Sequence, residues 1–296
     1  MHPGQLAVPT GQARALVAET FPELAERPIR RVASGGTVNA LFRIGRELVA
    51  RFPLQPVPLD EAWATARREY AAADELARAT SVPTPVPIGI GAPGHGYPLP
   101  WTLQTWVRGT VATASDPAAS VRFAEDLAEF VAALRRVGTR GRSFGGQGRG
   151  GRLSDMDEWL EICFARSAGV LDDVPRLRAL WGDLRDTGRD EPDAMTHGDL
   201  VPGNVLVRRG RLAGIIDGGQ FGPADPALDL VAAWHLLDPV PRQVLRDRLA
   251  CPDAQWRRGK AWAFAQAMGL PWYYADSNPT MAAVGRRTVS RILADS

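Results

Sequence analysis

The chain has 296 residues and a formal charge of +2, with 45% hydrophobic and 23% charged residues. That balance suits a folded globular protein with one large core or two smaller ones, and it excludes a disordered chain or a broad cationic face for nucleic acid. No run of about 18 apolar residues occurs, so no membrane span is expected, and Met1-His2-Pro3-Gly4-Gln5 lacks the basic-then-apolar pattern of a secretory signal.

Residues 11–27 read as a helix, with Ala15, Leu16, Ala18 and Phe21 near helical spacing. Apolar runs at 29–34, 39–44 and 48–52, broken at Gly35-Gly36 and Gly45-Arg46, read as a β-meander. After Asp60, the residues Trp63, Ala66, Tyr70, Ala73 and Ala77 recur at spacings of three and four, which predicts a helix with that face buried. Six prolines between 81 and 100 predict extended turns around a short strand at 86–90. Gly89-Ile90-Gly91-Ala92-Pro93-Gly94 fits the dinucleotide pattern G-x-G-x-x-G, but that motif needs a following helix whose N-terminus meets the pyrophosphate. Pro93, Pro98 and Pro100 forbid that helix, so the stretch reads as a loop between strands. Residues 99–107 alternate as a strand that Arg108-Gly109 ends.

Beyond that point the pattern turns to helices. Asp116-Pro117 offers an N-cap carboxylate and a proline at the first helical position, and Val121, Ala124, Ala128, Val131 and Leu134 mark the buried face. Residues 138–151 are rich in Gly and Arg and read as a mobile surface loop. Further helices are predicted at 155–168, 174–187, 226–238, 241–249, 256–268 and 280–294, with a small hairpin of 205–207 and 212–216 around Arg208-Arg209-Gly210. The change of pattern divides the chain into 1–107 and 108–296. Cys163 and Cys251 are too few for a disulfide framework or a zinc site and read as core thiols, which fits a reducing cytoplasm.

The chemistry lies in His197-Gly198-Asp199-Leu200-Val201-Pro202-Gly203-Asn204 and in Ile215-Ile216-Asp217. Asp199 sits in a Gly- and Pro-containing loop, Asn204 immediately precedes one hairpin strand, and Asp217 ends the other. Hairpin ends lie side by side, so Asn204 and Asp217 converge. Such oxygen ligands suit Mg²⁺, which takes few protein ligands and keeps its waters and substrate phosphates. Asp199 can stand beside the metal and orient an incoming hydroxyl, which is the division of labour that phosphoryl transfer needs.

This signature resembles that of the aminoglycoside phosphotransferase family, small-molecule kinases that include macrolide kinases. Asp225-Pro226 and Asp229-Leu230 are similar to a further family segment. The resemblance implies an α+β, two-lobed protein-kinase-like fold with ATP or GTP bound between the lobes. It makes Asp199 the catalytic base or hydroxyl-orienting group, Asn204 and Asp217 the Mg²⁺ ligands, and His197 a buttress of the loop. Asp225 and Asp229 would be structural, pinning the loop after Asp217 and capping the helix there. Gly35 and Gly36 would either close over the phosphates or form an ordinary hairpin turn. The strand carrying Gln104 and Trp106 falls where such kinases bind the purine base through backbone groups.

Two departures stand out. Protein kinases place a lysine on the third strand, paired with a helix glutamate. Here that strand offers Arg51, with Glu69 as the candidate partner, because Lys260 is the only lysine in the chain. Arginine can pair with a carboxylate and still donate to phosphates. Secondly, Gly218-Gly219 stands where the family commonly has a bulky aromatic, which predicts a more mobile loop and a missing part of the pocket floor.

For the acceptor, residues 240–296 hold nine cationic residues, four aspartates and no glutamate, together with Trp256, Trp262, Phe264, Trp272, Tyr273 and Tyr274. A polycationic aminoglycoside calls for a carboxylate-rich pocket. The expected acceptor is therefore a neutral or weakly charged hydroxylated molecule, macrolide- or nucleoside-like, unless these aromatics are core and the arginines solvated. The alternatives are a metabolic kinase for choline, a sugar or an amino-alcohol, and a nucleotide-binding pseudokinase. No nucleic-acid or membrane partner is expected, and the chain is a monomer or a homodimer.

Overall fold

The computed structural model describes residues 4–33, 38–146 and 148–295. By its internal contacts the chain forms two compact units. The first comprises Met1–Arg78, Pro83–Arg108 and Asp217–Gln220, and the second Ala79–Val82, Gly109–Ile216 and Phe221–Ser296.

The first unit begins with helix α1 (Thr10–Thr20), which stops short of its expected end at 27 because Pro22 opens a separate 3-10 turn. Strands β1 (Ile29–Arg31), β2 (Asn39–Ile44) and β3 (Leu48–Pro53) follow as the meander, then helix α2 (Leu59–Ala79) and strands β4 (Pro87–Gly91) and β5 (Trp101–Thr105). They make one antiparallel sheet of order β1-β2-β3-β5-β4. In β3 and β5 the period-two alternation sends Ala50, Phe52, Trp101 and Leu103 into the core with Leu16 and Val17 of α1. The Phe52 and Trp101 rings stack there at 5.0 Å. The register sets Arg51 opposite Thr102 and Val49 opposite Gln104, so these four share the other face.

Two expectations shift here. Of the predicted α2 stripe only Ala66 is fully buried, joined by Ala62 and Leu76, while Trp63 is partly exposed under the Arg67 guanidinium at 5.3 Å. Gly89 and Gly91 of the rejected dinucleotide pattern sit on β4, where a β-carbon at Gly91 would stand 2.1 Å from the Trp101 ring. Close packing, and no nucleotide, accounts for that glycine.

The second unit carries β6 (Thr110–Val111), α3 (Val121–Arg135), α4 (Asp157–Arg166), α5 (Val174–Arg185), β7 (Ala194–Thr196), β8 (Val205–Arg208), β9 (Arg211–Ile215), β10 (Gly222–Ala224), α6 (Val231–Leu236), α7 (Pro239–Arg248), α8 (Asp253–Ala267), α9 (Leu270–Tyr273) and α10 (Pro279–Ala294). Helix α3 starts at Val121 because Ser120 is the true cap, its Oγ accepting from Phe123 N–H at 3.2 Å, while Asp116 closes a tight turn by accepting from Ala118 N–H. Helix α8 is buried on nearly every side, and Trp181 of α5 stacks on its Phe264 at 5.9 Å. Strands β6, β8 and β9 form one small sheet, and β7 pairs with β10 in a two-stranded ribbon. Residues 226–238, expected as one helix, hold a 3-10 turn at Leu228–Leu230 before α6. Cys163 and Cys251 are buried free thiols, and burial pushes the Cys163 thiol up to about 11. Among the described residues no helix is long and apolar enough to cross a membrane.

Candidate active site

In the first unit, Arg51 projects from β3 and donates from Nη2 to Asp217 Oδ1 at 2.7 Å. The arginine is largely covered while Asp217 is half exposed. Asp217 adopts φ +65°, a left-handed conformation that aspartate tolerates better than most residues. The expected Arg51–Glu69 pair is replaced by this Arg51–Asp217 pair. Glu69, on α2, lies close enough to feel both charges. Burial raises its pKa first, Asp217 adds to the rise, and Arg51 opposes it. Arg51, Glu69, Thr102, Gln104, Gly218 and Gly219 line one pocket. Trp106 is not part of that lining. Its ring lies on the Arg43 guanidinium at 4.7 Å and its backbone N–H donates to the Glu47 carbonyl at 2.6 Å. Gly35 and Gly36 lie outside the described residues.

The Gly218-Gly219 departure has a steric cause. A β-carbon at Gly218 would stand 2.3 Å from Leu76 Cδ2, and one at Gly219 would stand 2.9 Å from Glu69 Cγ. Ordinary carbon contacts need about 3.5–4.0 Å. Helix α2 therefore fills the space that side chains after Asp217 would take, and the segment is a 3-10 turn packed against it.

In the second unit, the loop from His197 to Asn204 joins β7 to β8. Asp229, 2% exposed, accepts from His197 N–H at 2.9 Å and from Gly198 N–H at 3.0 Å, one through each carboxylate oxygen. Burial raises its pKa against the pull of these donors. Asp229 thus clasps the start of the loop, where sequence reasoning assigned it to the segment after Asp217. Asp199 N–H donates to His197 Nδ1 at 3.3 Å, so the ring proton lies on Nε2, which donates to the Ile216 carbonyl at 3.2 Å. Asn204 Nδ2 donates to the Asp199 carbonyl at 3.0 Å and to Asp199 Oδ2 at 2.8 Å. The Asn204 carbonyl accepts from Ile216 N–H at 2.8 Å, and Asp217 is the next residue.

The donor set fits a magnesium ion. Asn204 uses its amide nitrogen on Asp199, which turns Oδ1, the atom a hard cation prefers, away from that carboxylate. Among the described residues no group of three His, Cys, Asp or Glu could hold a metal alone.

Several residues escaped the sequence reading. Arg149, in the Gly/Arg-rich segment, donates to Asp199 Oδ1 at 2.8 Å. That segment is also tied down: Phe144 N–H donates to Asp193 Oδ2 at 2.7 Å, and Asp225 N–H donates to the Gly150 carbonyl at 2.8 Å. Asp225, 1% exposed, accepts from Arg258 Nε at 3.1 Å and Trp262 Nε1 at 3.0 Å, which fastens α8. Of the six aromatics expected at the acceptor, Trp262 and Phe264 are fully buried core, and the partly buried Trp256 packs on Trp234. The cations are mostly paired. Arg246, Arg248, Arg287 and Arg291 meet Asp253, Glu125, Asp116 and Asp238, while Arg242 and Lys260 meet Asp295.

Residues 28–262 match the profile of the phosphotransferase enzyme family, so the chain belongs to that family and is a phosphotransferase. No curated protein sequence matches it. Similar solved structures include aminoglycoside 2'-phosphotransferase IIIa in its GDP complex, at TM-score 0.68 and 17% identity over 98% of this chain and 100% of that one. Macrolide 2'-phosphotransferase MphH from Brachybacterium faecium superposes at TM-score 0.62 and 20% identity, covering 94% and 97%. A macrolide 2'-phosphotransferase of type I superposes at TM-score 0.60 and 17% identity, covering 95% and 97%. At such identities the likeness is one of fold, the α+β kinase-like fold expected from the sequence.

Proposed function

We propose that the chain transfers the γ-phosphoryl group of a magnesium-bound ATP or GTP to a hydroxyl of a small-molecule antibiotic. The observation that carries this reading is the Asp199–Asn204 pair at 2.8 Å on a loop clasped by Asp229. Asp199 orients the acceptor hydroxyl and takes its proton. Asn204 and Asp217 would hold the metal through oxygen, and the bound metal would supply neutralisation of the phosphate charge. Arg51 donates to phosphate oxygens from the same face as Gln104, whose strand meets the base. Among the similar structures are complexes with GDP, with kanamycin and with ATP and streptomycin, and these name the ligand classes to try first. A neutral, macrolide- or nucleoside-like acceptor is favoured over a polycationic one, and the cytoplasm is the setting.

The test is a nucleotide-consumption screen against hydroxylated antibiotics, with the product located by mass and phosphorus NMR. Asp199→Asn should lower kcat by roughly 10²–10⁴-fold. Wild-type turnover in that variant would end the assignment, and nucleotide binding without any turnover would favour a pseudokinase.

A further inference from the structure

We infer that Arg149 sets acceptor specificity, excluding polycationic molecules from Asp199. The inference rests on reading Asp199 as the group that meets the acceptor hydroxyl. The Arg149 guanidinium is 32% exposed and bonded to a carboxylate that is 29% exposed, so both face the space an acceptor would enter. It is held from behind by a chain of fixed polarity. Thr288 Oγ1 donates to the Val284 carbonyl at 2.9 Å, so it must accept from His235 Nδ1 at 2.9 Å. His235 Nε2 is then the acceptor for the Gln266 amide nitrogen at 3.0 Å. Gln266 Oε1 in turn accepts from Arg149 Nε at 2.9 Å and Nη2 at 3.1 Å. The opposite amide orientation lets the amide nitrogen donate to Asp199 Oδ1 at 3.3 Å, but it would set an NH₂ group against the N–H groups of Arg149 and leave His235 Nε2 without a donor. Gln266, His235 and Thr288 are all buried.

Asp199 therefore receives Asn204 on one oxygen and a tethered cation on the other. A hydroxyl flanked by ammonium groups meets like charge on arrival. A neutral polyol meets a donor that can bond its ring or glycosidic oxygens. An ammonium about 6 Å from the guanidinium, under partial screening, loses about tenfold in affinity, or about 1.4 kcal/mol.

The test is calorimetric binding of kanamycin and of fully N-acetylated kanamycin to the full chain as wild type, Arg149→Ala and Arg149→Lys. Arg149→Ala should gain about tenfold for kanamycin and nothing for the acetylated probe, while Arg149→Lys keeps the wild-type ratio. No gain for kanamycin, including no binding to any of the three, overturns the inference, as does an equal change for both probes. Should Arg149→Ala fail to fold, Gln266→Leu releases the tether while keeping the charge, and a smaller selective gain is expected; no gain there overturns the inference too. Basal nucleotide hydrolysis by Asp199→Asn separates the two readings. A wild-type rate there removes the role of Asp199, whereas a lost rate without a kanamycin gain removes only that of Arg149.

Discussion

Adding one methyl group at Gly218 tests the packing that replaces a side chain after Asp217. Gly218 has no left-handed φ, so Gly218→Ala brings no backbone strain, and the cost is the clash with Leu76 Cδ2 at 2.3 Å. Leu76 is 1% exposed and cannot swing into solvent without leaving its site. Overpacking of this kind costs about 1–3 kcal/mol. Leu76→Ala alone should cost about 2–5 kcal/mol by removing buried methyl groups and leaving a cavity. Together the changes should cost less than their sum by at least about 1 kcal/mol, since the new methyl enters the space that Leu76 vacates. Urea unfolding gives the totals, and hydrogen exchange on the 59–79 peptide confines the effect to α2. Additivity within about 0.5 kcal/mol would refute the claim that α2 fills the position.

Arg51→Ala should raise the nucleotide KM roughly 10- to 150-fold, the worth of one charge-assisted hydrogen bond, and unchanged kinetics would return Arg51 to a purely structural pairing with Asp217. Asp225→Ala leaves Arg258 buried beside a single remaining carboxylate, Glu191, and should cost about 3–5 kcal/mol in urea unfolding. Burial holds the His235 imidazole down at about 4, from an ordinary 6.5. The unfolded chain thus binds the extra proton between those values, so this residue's contribution is intact above pH 6.5 and falls by about 3 kcal/mol as the pH drops to 4. His235→Gln should flatten that part of the stability profile, and an unchanged slope would locate the acid sensitivity elsewhere.

What was legible in the sequence was local. Asp199 and Asn204 stand five residues apart on one loop, so their meeting needs only a turn. The five strands of the first sheet declared themselves by alternation and by glycine and proline breaks. Asp229, by contrast, reaches back 32 residues to His197, and Arg149 reaches forward 50 to Asp199. No spacing rule encodes such reach. Composition misled in the C-terminal helices. Aromatic and cationic residues there looked available for a ligand, yet the Trp262 indole donates to buried Asp225 and most of the arginines are held in ion pairs. On α2 the predicted face held at Ala66 but not at Trp63, which has the hydrophobicity of a core residue yet stacks on an arginine.

The lone lysine has a practical consequence. Lys260 is 8% exposed, with Nζ donating to the Asp295 carbonyl at 2.7 Å. Nucleotide analogues that report kinases by acylating a lysine beside the phosphates have nothing to acylate in the first unit, where arginine stands instead. Such surveys would pass over this enzyme while it is fully active. Conversely, acylation of Lys260 by a simple amine reagent would signal that the packing of α8 on the C-terminal helix has opened, which makes the residue a ready-made reporter of unfolding.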